Sequence, residues 1–152
     1  MKNRKLQIAQ LESRIALFAS TRKLPNPPTG WVKAIRLALG MSLEQLADRL
    51  SITKQSVHNI EKREKDGAVT LRTLRETARA LDMDFVYGFV PKDGSLDQYI
   101  EKKARLLAQE IVLRTSNNMR LEDQENNNER LYKAIEERTH IIKEELPKAL
   151  WD

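Results

Sequence analysis

Apolar residues recur at steps of three and four along most of the chain, which is the spacing that places them on one face of an α-helix. In the first segment Ile8, Leu11, Ile15 and Phe18 follow this spacing. The predicted helices cover residues 3–21, 29–39, 43–50, 54–63, 71–81, 95–119 and 129–146. Three prolines between residues 24 and 30 remove backbone donors and clash with a preceding turn, so a stiff linker is predicted there.

Two of the predicted helices, 43–50 and 54–63, follow each other with only a short turn between them. Their apolar positions are Leu46, Ala47, Leu50, Ile52, Val57 and Ile60. The first three belong to one helix, the last two belong to the other, and Ile52 lies at the corner. Ser42 and Thr53 stand where each helix needs a side-chain oxygen to cap its unpaired N–H groups. This register is typical of a helix-turn-helix, in which the second helix projects outward.

The second helix of this pair carries a polar set on the face that does not pack. Lysine suits the O6 and N7 atoms of guanine, whereas glutamine and asparagine suit the N6 and N7 atoms of adenine. The predicted DNA-base contacts are Lys54, Gln55, His58 and Asn59. The predicted phosphate contacts are Ser42, Thr53, Ser56, Lys62, Arg63 and Lys65. The alternative is an ordinary helical hairpin with a solvated polar exterior.

Charge along the chain adds a weaker indication of the same kind. The formal net charge is +5, and residues 1–40 hold eight Lys and Arg against one acid, whereas residues 95–152 hold ten bases against twelve acids. A basic segment beside a folded domain is typical of a protein with a polyanionic partner. A run of charge can also be just a solvated face.

Other classes of site are not indicated. The chain of 152 residues has no cysteine and two histidines, His58 and His140, at no metal-binding spacing. It also has no glycine-rich phosphate loop and no nucleophile elbow, and the acidic stretch 121–129 lacks the ligand pattern of a calcium loop. We therefore expect no enzyme activity, catalytic residue, metal or cofactor, and no membrane partner. A cytoplasmic location is expected, since no apolar run could span a membrane.

The residues from Trp31 to Leu81 resemble the Cro/cI-like repressors of the XRE family, with "TKQSVHNIE" in the position of the recognition helix. The resemblance implies a five-helix domain whose recognition helix contacts bases and whose basic residues after it contact the DNA backbone. Two positions depart from the family pattern. Ser51 replaces the usual turn glycine, and Leu43 replaces a glutamine that often contacts phosphate.

Segments along nearly the whole chain also look like the group called mobile mystery protein A. They are "LPNPPTGWVKAIRLALGMSLEQLADRL", "TLRTLRETARAL", "FVYGFVPKDGSL" and the terminal "LWD". This resemblance implies the antitoxin-like member of a toxin–antitoxin pair, beside a partner with a Fic domain. The Fic-inhibitory pattern Ser/Thr-x-x-x-Glu-Gly/Asn is not matched, because Leu121 stands where the hydroxyl before Glu125 should be.

The segment from Phe85 to Val90 is apolar on both faces of a strand-like alternation, so a buried β-strand is predicted. A lone strand leaves its backbone groups unpaired, at a cost of roughly 1–3 kcal/mol each when they are buried. We expect antiparallel pairing with the same segment of a second subunit; an intrachain strand is the alternative. The predicted dimer interface consists of Phe85, Val86, Tyr87, Phe89 and Val90. Such a homodimer would read a palindromic operator.

Together these features predict a mainly α fold: a five-helix Cro/cI-like helix-turn-helix domain with an N-terminal helix, one short β-strand and two C-terminal helices. The predicted boundaries are 1–24 for the N-terminal helix, 25–30 for the linker, 31–83 for the DNA-binding domain, 84–91 for the dimerisation strand and 92–152 for the C-terminal helical extension. The two long C-terminal helices carry apolar stripes and are predicted to pack on each other and against the domain. The predicted function is sequence-specific regulation of transcription; the alternative is a protein-interaction module that neutralises a partner enzyme.

Overall fold

The computed structural model describes residues 2–116 and 124–152, and within these ranges it contains α-helices and short 3-10 helices but no β-strand. The α-helices are α1 (Lys2–Phe18), α2 (Trp31–Ala38), α3 (Leu43–Leu50), α4 (Lys54–Asp66), α5 (Leu71–Ala80), α6 (Leu96–Ser116) and α7 (Gln124–Glu145). The 3-10 helices are Ala19–Lys23 and Lys148–Trp151. The chain divides into a unit formed by Thr21–Gly88 and a unit formed by Met1–Ser20 with Phe89–Asp152.

The unit Thr21–Gly88 contains α2 to α5 around one small apolar core. Its buried residues are Val32, Leu46, Ala47, Val57 and Leu81. Leu46 and Val57 are fully buried, and they come from the two helices on either side of the tight turn. The predicted helix-turn-helix register therefore describes how α3 and α4 pack.

Side-chain caps define where the short helices of this unit begin. Ser42 and Gln45 form a reciprocal capping box, in which the Gln45 N–H donates to Ser42 Oγ over 3.1 Å and the Ser42 N–H donates to Gln45 Oε1 over 2.8 Å. Thr53 caps α4 and Thr70 caps α5 through the same kind of N–H to Oγ1 bond. A lost cap costs about 1 kcal/mol, so these residues contribute measurably to three helix starts.

Ser51 adopts the left-handed conformation, with φ of 55°, in the turn between α3 and α4. A non-glycine residue there costs roughly 1–2 kcal/mol relative to the right-handed region. The turn therefore keeps the backbone of the usual glycine-containing helix-turn-helix in spite of the substitution.

A buried ion pair joins α2 to α4. The Arg36 guanidinium donates to both carboxylate oxygens of Glu61, over 2.9 and 3.0 Å, and also donates to the Met41 carbonyl over 3.0 Å. Both side chains are buried, and the hydrogen bonds to Glu61 raise the pKa of Arg36. A bidentate pair of this kind sets both the distance and the rotation of α4 relative to α2.

A second carboxylate of α4 caps the start of α2. The N–H groups of Trp31 and Val32 donate to the two Glu64 carboxylate oxygens over 3.0 and 2.9 Å. A carboxylate at a helix N-terminus also interacts favourably with the helix dipole. Gly30 permits the close approach, because a Cβ there would lie 2.8 Å from Glu64 Oε1.

Two expectations for the end of this unit are wrong. Only α2, α3, α4 and α5 lie between Trp31 and Gly88, so the domain has four helices where five were predicted. The predicted buried β-strand Phe85–Val90 is not a strand in the described chain, and Val86 and Phe89 are exposed. A fifth helix does not form at the end of the unit, because Gly88 and Pro91 disfavour a helical backbone. A strand does not form there either, because no other strand among the described residues offers it hydrogen-bond partners.

The second unit is built on the long helices α6 and α7. Ala104 and Ala108 are fully buried in their seam beside Ile142 and Leu150. The partly buried residues around this seam are Leu107, Ile111, Ile135 and Leu146. Helix α6 starts at a capping box, in which Ser95 and Gln98 exchange two bonds of 3.1 Å. The mutual packing of the two long helices agrees with the apolar stripes.

Helix α1 and the chain end complete this unit. Glu12 accepts a bond of 2.8 Å from the Leu96 N–H, Arg4 donates to the Leu146 carbonyl over 3.1 Å, and Lys5 pairs with Glu144. Trp151 stacks on Tyr99 with the ring centroids 5.6 Å apart. Helix α7 begins at Gln124, five residues before the predicted start. The part of the acidic stretch 121–129 that precedes it lies outside the described residues.

Candidate nucleic-acid interface

Helix α4 has two chemically distinct faces. Val57 and Glu61 are buried on one side, and Glu64 is partly buried beside them. At 100° per residue, Gln55, Lys62 and Asn59 lie near the middle of the opposite side, and Gln55 and Lys62 are exposed. The helix runs on to Asp66, three residues beyond the predicted end, so its basic residues extend the same rigid surface.

The four predicted base contacts all lie in the first half of α4. Lys54, Gln55 and His58 are exposed, and Asn59 is partly buried. The Gln55 side-chain N–H donates to Asn59 Oδ1 over 3.2 Å, so the two amides are aligned one turn apart. This arrangement leaves the Gln55 oxygen and the Asn59 N–H groups free to meet the donor and acceptor of an adenine edge.

The predicted phosphate contacts fall into two groups. Ser42, Thr53 and Ser56 lie at the starts of α3 and α4, and Thr53 Oγ1 both accepts from the Ser56 N–H over 3.1 Å and lies 2.8 Å from Ser56 Oγ. Their hydroxyls therefore have intrachain partners before any DNA is bound. Lys62, Arg63 and Lys65 are exposed on the second half of α4.

Two of the three acidic side chains on α4 are directed away from this polar face. Glu61 forms the buried ion pair with Arg36, and Glu64 accepts hydrogen bonds from the N-terminus of α2. Asp66 remains exposed at the last turn, against the exposed cations Lys54, Lys62, Arg63 and Lys65. The exposed surface of α4 is therefore net basic although the helix sequence contains three acids.

A groove of about 360 Å³ lies between α4 and α5. Its polar lining comes from Ser56, Asn59, Arg63, Thr70, Thr73 and Glu76. Thr70 Oγ1 donates to Thr73 Oγ1 over 2.9 Å, so two further hydroxyls border the candidate interface. The sequence analysis missed them, although Thr70 directly precedes a periodic apolar segment and carried the signal of an N-cap.

Residues 32–87 match the helix-turn-helix family model, and this range includes α3, α4 and their turn. These residues form an XRE-type helix-turn-helix domain. A domain of this type supports a role as a DNA-binding regulator. No curated protein and no solved structure matches the chain.

Among the described residues, no group of three or more His, Cys, Asp or Glu side chains is arranged to hold a metal ion. None of the described helices is both long and apolar enough to cross a membrane.

Proposed function

We propose that this protein regulates transcription by binding a specific DNA sequence through α4 in the major groove. One observation carries the proposal: α4 of the XRE-type domain exposes Lys54, Gln55 and His58 beside the partly buried Asn59, while its acids Glu61 and Glu64 are held by α2. A helix with this division of faces can approach a polyanion closely and still present amides to base edges.

Base and phosphate contacts have different roles in this proposal. Gln55 and Asn59 read bases, with Lys54 and His58 beside them, because the residues near the start of a recognition helix are those that contact base edges. Lys62, Arg63, Lys65 and the hydroxyls of Ser42, Thr53 and Ser56 hold the DNA backbone, which sets orientation without sequence information.

The test is binding-site selection from random duplexes, followed by titrations at several salt concentrations. Gln55→Ala and Asn59→Ala should each cost roughly 1–3 kcal/mol on the selected site and relax preference at one base position. Lys62→Ala should weaken all duplexes alike and reduce the salt slope by about one unit. Gln109→Ala, an exposed glutamine on α6, is the matched control and should change neither. A wild-type protein that prefers no duplex would remove the proposal.

We further propose that the regulator acts as a homodimer on a palindromic operator. The support is the exposed apolar segment Phe85–Val90, in which Phe85 and Val90 are partly buried and Val86, Tyr87 and Phe89 are exposed. Twofold-related recognition helices would read half-sites separated by roughly one helical turn, about 34–36 Å. Footprinting of the selected site measures this spacing directly.

We propose as well that the protein is the antitoxin-like member of a toxin–antitoxin pair with a Fic-domain partner, in the cytoplasm. The resemblance of its segments to the mobile mystery protein A group supports this. The role requires binding and no catalytic step of its own. Co-expression with the product of the neighbouring gene should relieve any growth defect which that product causes alone.

The alternative is an interaction module that neutralises a partner enzyme, with DNA binding secondary. The helices α6 and α7 favour it, because they are not needed for DNA reading and expose Leu106, Leu113, Tyr132 and Ile141. Affinity capture of the neighbouring gene product separates the two functions. In the alternative, Gln55→Ala leaves capture and neutralisation unchanged, whereas Leu106→Glu abolishes both.

A further inference from the structure

The segment that follows α5 is extended, and its backbone between residues 84 and 90 makes no hydrogen bond to the described residues. Residues 83–91 contain no helix, turn or bend, and none has a left-handed φ. Among the described residues, none forms a hydrogen bond with the backbone N–H or C=O groups of residues 84–90. Phe89 is 87% exposed and Val86 is 72% exposed. An extended apolar segment with unpaired edges is a template for pairing with another chain.

The sequence of this segment, "DFVYGFVPK", is close to symmetric about Gly88. Antiparallel pairing of two copies centred on Gly88 places Val86 opposite Val90 and Tyr87 opposite Phe89. The same register places Asp84 opposite Lys92, which are the nearest charged residues on either side and have opposite signs. Opposite charges and matched apolar residues directly across from each other stabilise an antiparallel pair, whereas like charges destabilise it.

We infer that this segment pairs antiparallel with the same segment of a second copy, in the register centred on Gly88, with Asp84 of each copy beside Lys92 of the other. The inference rests on the proposed homodimer and specifies how the two copies recognise each other. A different protein as partner would not require a sequence symmetric about its own centre.

Pro91 determines which residues of this register exchange hydrogen bonds. Proline has no N–H, so its pair with Phe85 must be a pair without hydrogen bonds. Because the two kinds of pair alternate, Tyr87 and Phe89 also form a pair without hydrogen bonds, whereas Val86 with Val90 and the two Gly88 residues exchange them. The aromatic pair then falls at the site where side chains approach most closely.

One face of the segment is already organised for this contact. Tyr87 stacks on Phe85 with the ring centroids 5.8 Å apart, and Arg75 of α5 lies 5.5 Å from the centre of the Tyr87 ring and donates to its hydroxyl over 3.3 Å. Phe89 of the second copy would extend this aromatic row. The contact with Arg75 ties the pairing segment to α5 and hence to the domain that contains α4.

A charge exchange tests the register. Asp84→Lys alone and Lys92→Asp alone each place like charges opposite each other twice per dimer, and each variant should dimerise roughly tenfold more weakly than the wild type. In an equimolar mixture, the two variants should form heterodimers over the same concentration range in which the wild type forms dimers. Sedimentation at several concentrations measures this. The double variant should recover dimers as well. Asp48→Lys, at an exposed acid of α3 outside the register, is the control and should dimerise like the wild type.

Backbone substitutions test the hydrogen-bond pattern independently. Val86→Pro removes an N–H that points at the second copy and should abolish dimers, whereas Phe89→Pro removes one that points away and should weaken them no more than Phe89→Ala does. Circular dichroism of each variant checks that the helices remain folded.

The inference is overturned if the wild type stays monomeric at micromolar concentration, or if the mixture of charge variants dimerises no better than either variant alone. These readouts require no DNA. If the charge variants behave as expected and no duplex is preferred, the pairing stands and the proposed DNA-binding function fails.

Discussion

The two units of this protein are both helical, but different interactions specify them. The XRE-type domain uses helices of 8–13 residues, with caps at Ser42, Thr53 and Thr70 and a buried ion pair. The other unit uses helices of 17–22 residues, of which α6 and α7 meet along a seam of small and apolar side chains. Short helices are marginal by themselves, so their ends and their mutual orientation must be stabilised by specific polar contacts. Long helices can rely on a continuous seam.

The largest expected effect is on the buried ion pair of the XRE-type domain. Arg36→Ala leaves Glu61 as an uncompensated buried charge and should lower the free energy of unfolding by roughly 3–5 kcal/mol. DNA affinity should fall with it, because α4 loses its link to α2. Denaturant titration and hydrogen exchange of α2–α4 amides measure this. The double variant Arg36→Met with Glu61→Leu should regain most of the stability; if it is as unstable as Arg36→Ala, the charge argument is wrong.

The next effect concerns the seam of the other unit. Ile142→Ala removes a buried side chain between α6 and α7 and should cost roughly 2–5 kcal/mol. Exposed Ile141, one position earlier, supplies the matched control, since Ile141→Ala should cost much less. Hydrogen exchange should report the loss in α6 and α7. An equal loss from both substitutions would contradict the assigned seam.

A smaller effect is expected from the caps. Thr70→Ala removes the acceptor of the Thr73 N–H at the start of α5 and should cost about 1 kcal/mol. Thr70→Asp should restore most of that stability, because aspartate caps as well as threonine, but it should weaken DNA binding by placing an anion at the groove bordered by Arg63. Thermal unfolding measures the stability of both variants, and DNA titration measures their affinity. If Thr70→Asp changed stability and DNA affinity in the same direction, the capping role and the effect on the groove would not be independent.

The smallest effect is a dependence on acid pH in the unit that contains α6 and α7. Hydrogen bonding to Arg105 lowers the pKa of Glu136, and hydrogen bonding to Lys5 lowers that of Glu144, from the usual value near 4.5. A carboxyl with a lowered pKa in the folded state stabilises the fold above its unfolded pKa, and this contribution is lost as pH falls below about 4.5. Both groups are substantially exposed, so the change is small. The melting temperature should change less between neutral and acid pH for Glu136→Gln than for the wild type.

The sequence allowed the helix-turn-helix to be predicted because its signals are local. The apolar register of Leu46 and Val57 and the caps at Ser42 and Thr53 each depend on residues within a few positions. The Arg36–Glu61 pair escaped prediction because its partners are 25 positions apart and charged residues normally indicate surface. The segment Phe85–Val90 showed the reverse problem: its apolar alternation indicates strand character, but whether a strand forms depends on a partner outside the local sequence.

The division of α4 into two faces has a consequence for how the proposed DNA specificity can change. The side chains that hold the helix, Val57, Glu61 and Glu64, alternate with the exposed Gln55 and His58, so neither exposed residue belongs to the buried core. Substitutions at exposed positions away from caps and cores usually alter stability by less than about 0.5 kcal/mol. New operators can therefore be acquired by exchanging these exposed residues one at a time, through intermediates that all remain folded. The same property makes α4 a suitable site for grafting the recognition residues of another regulator.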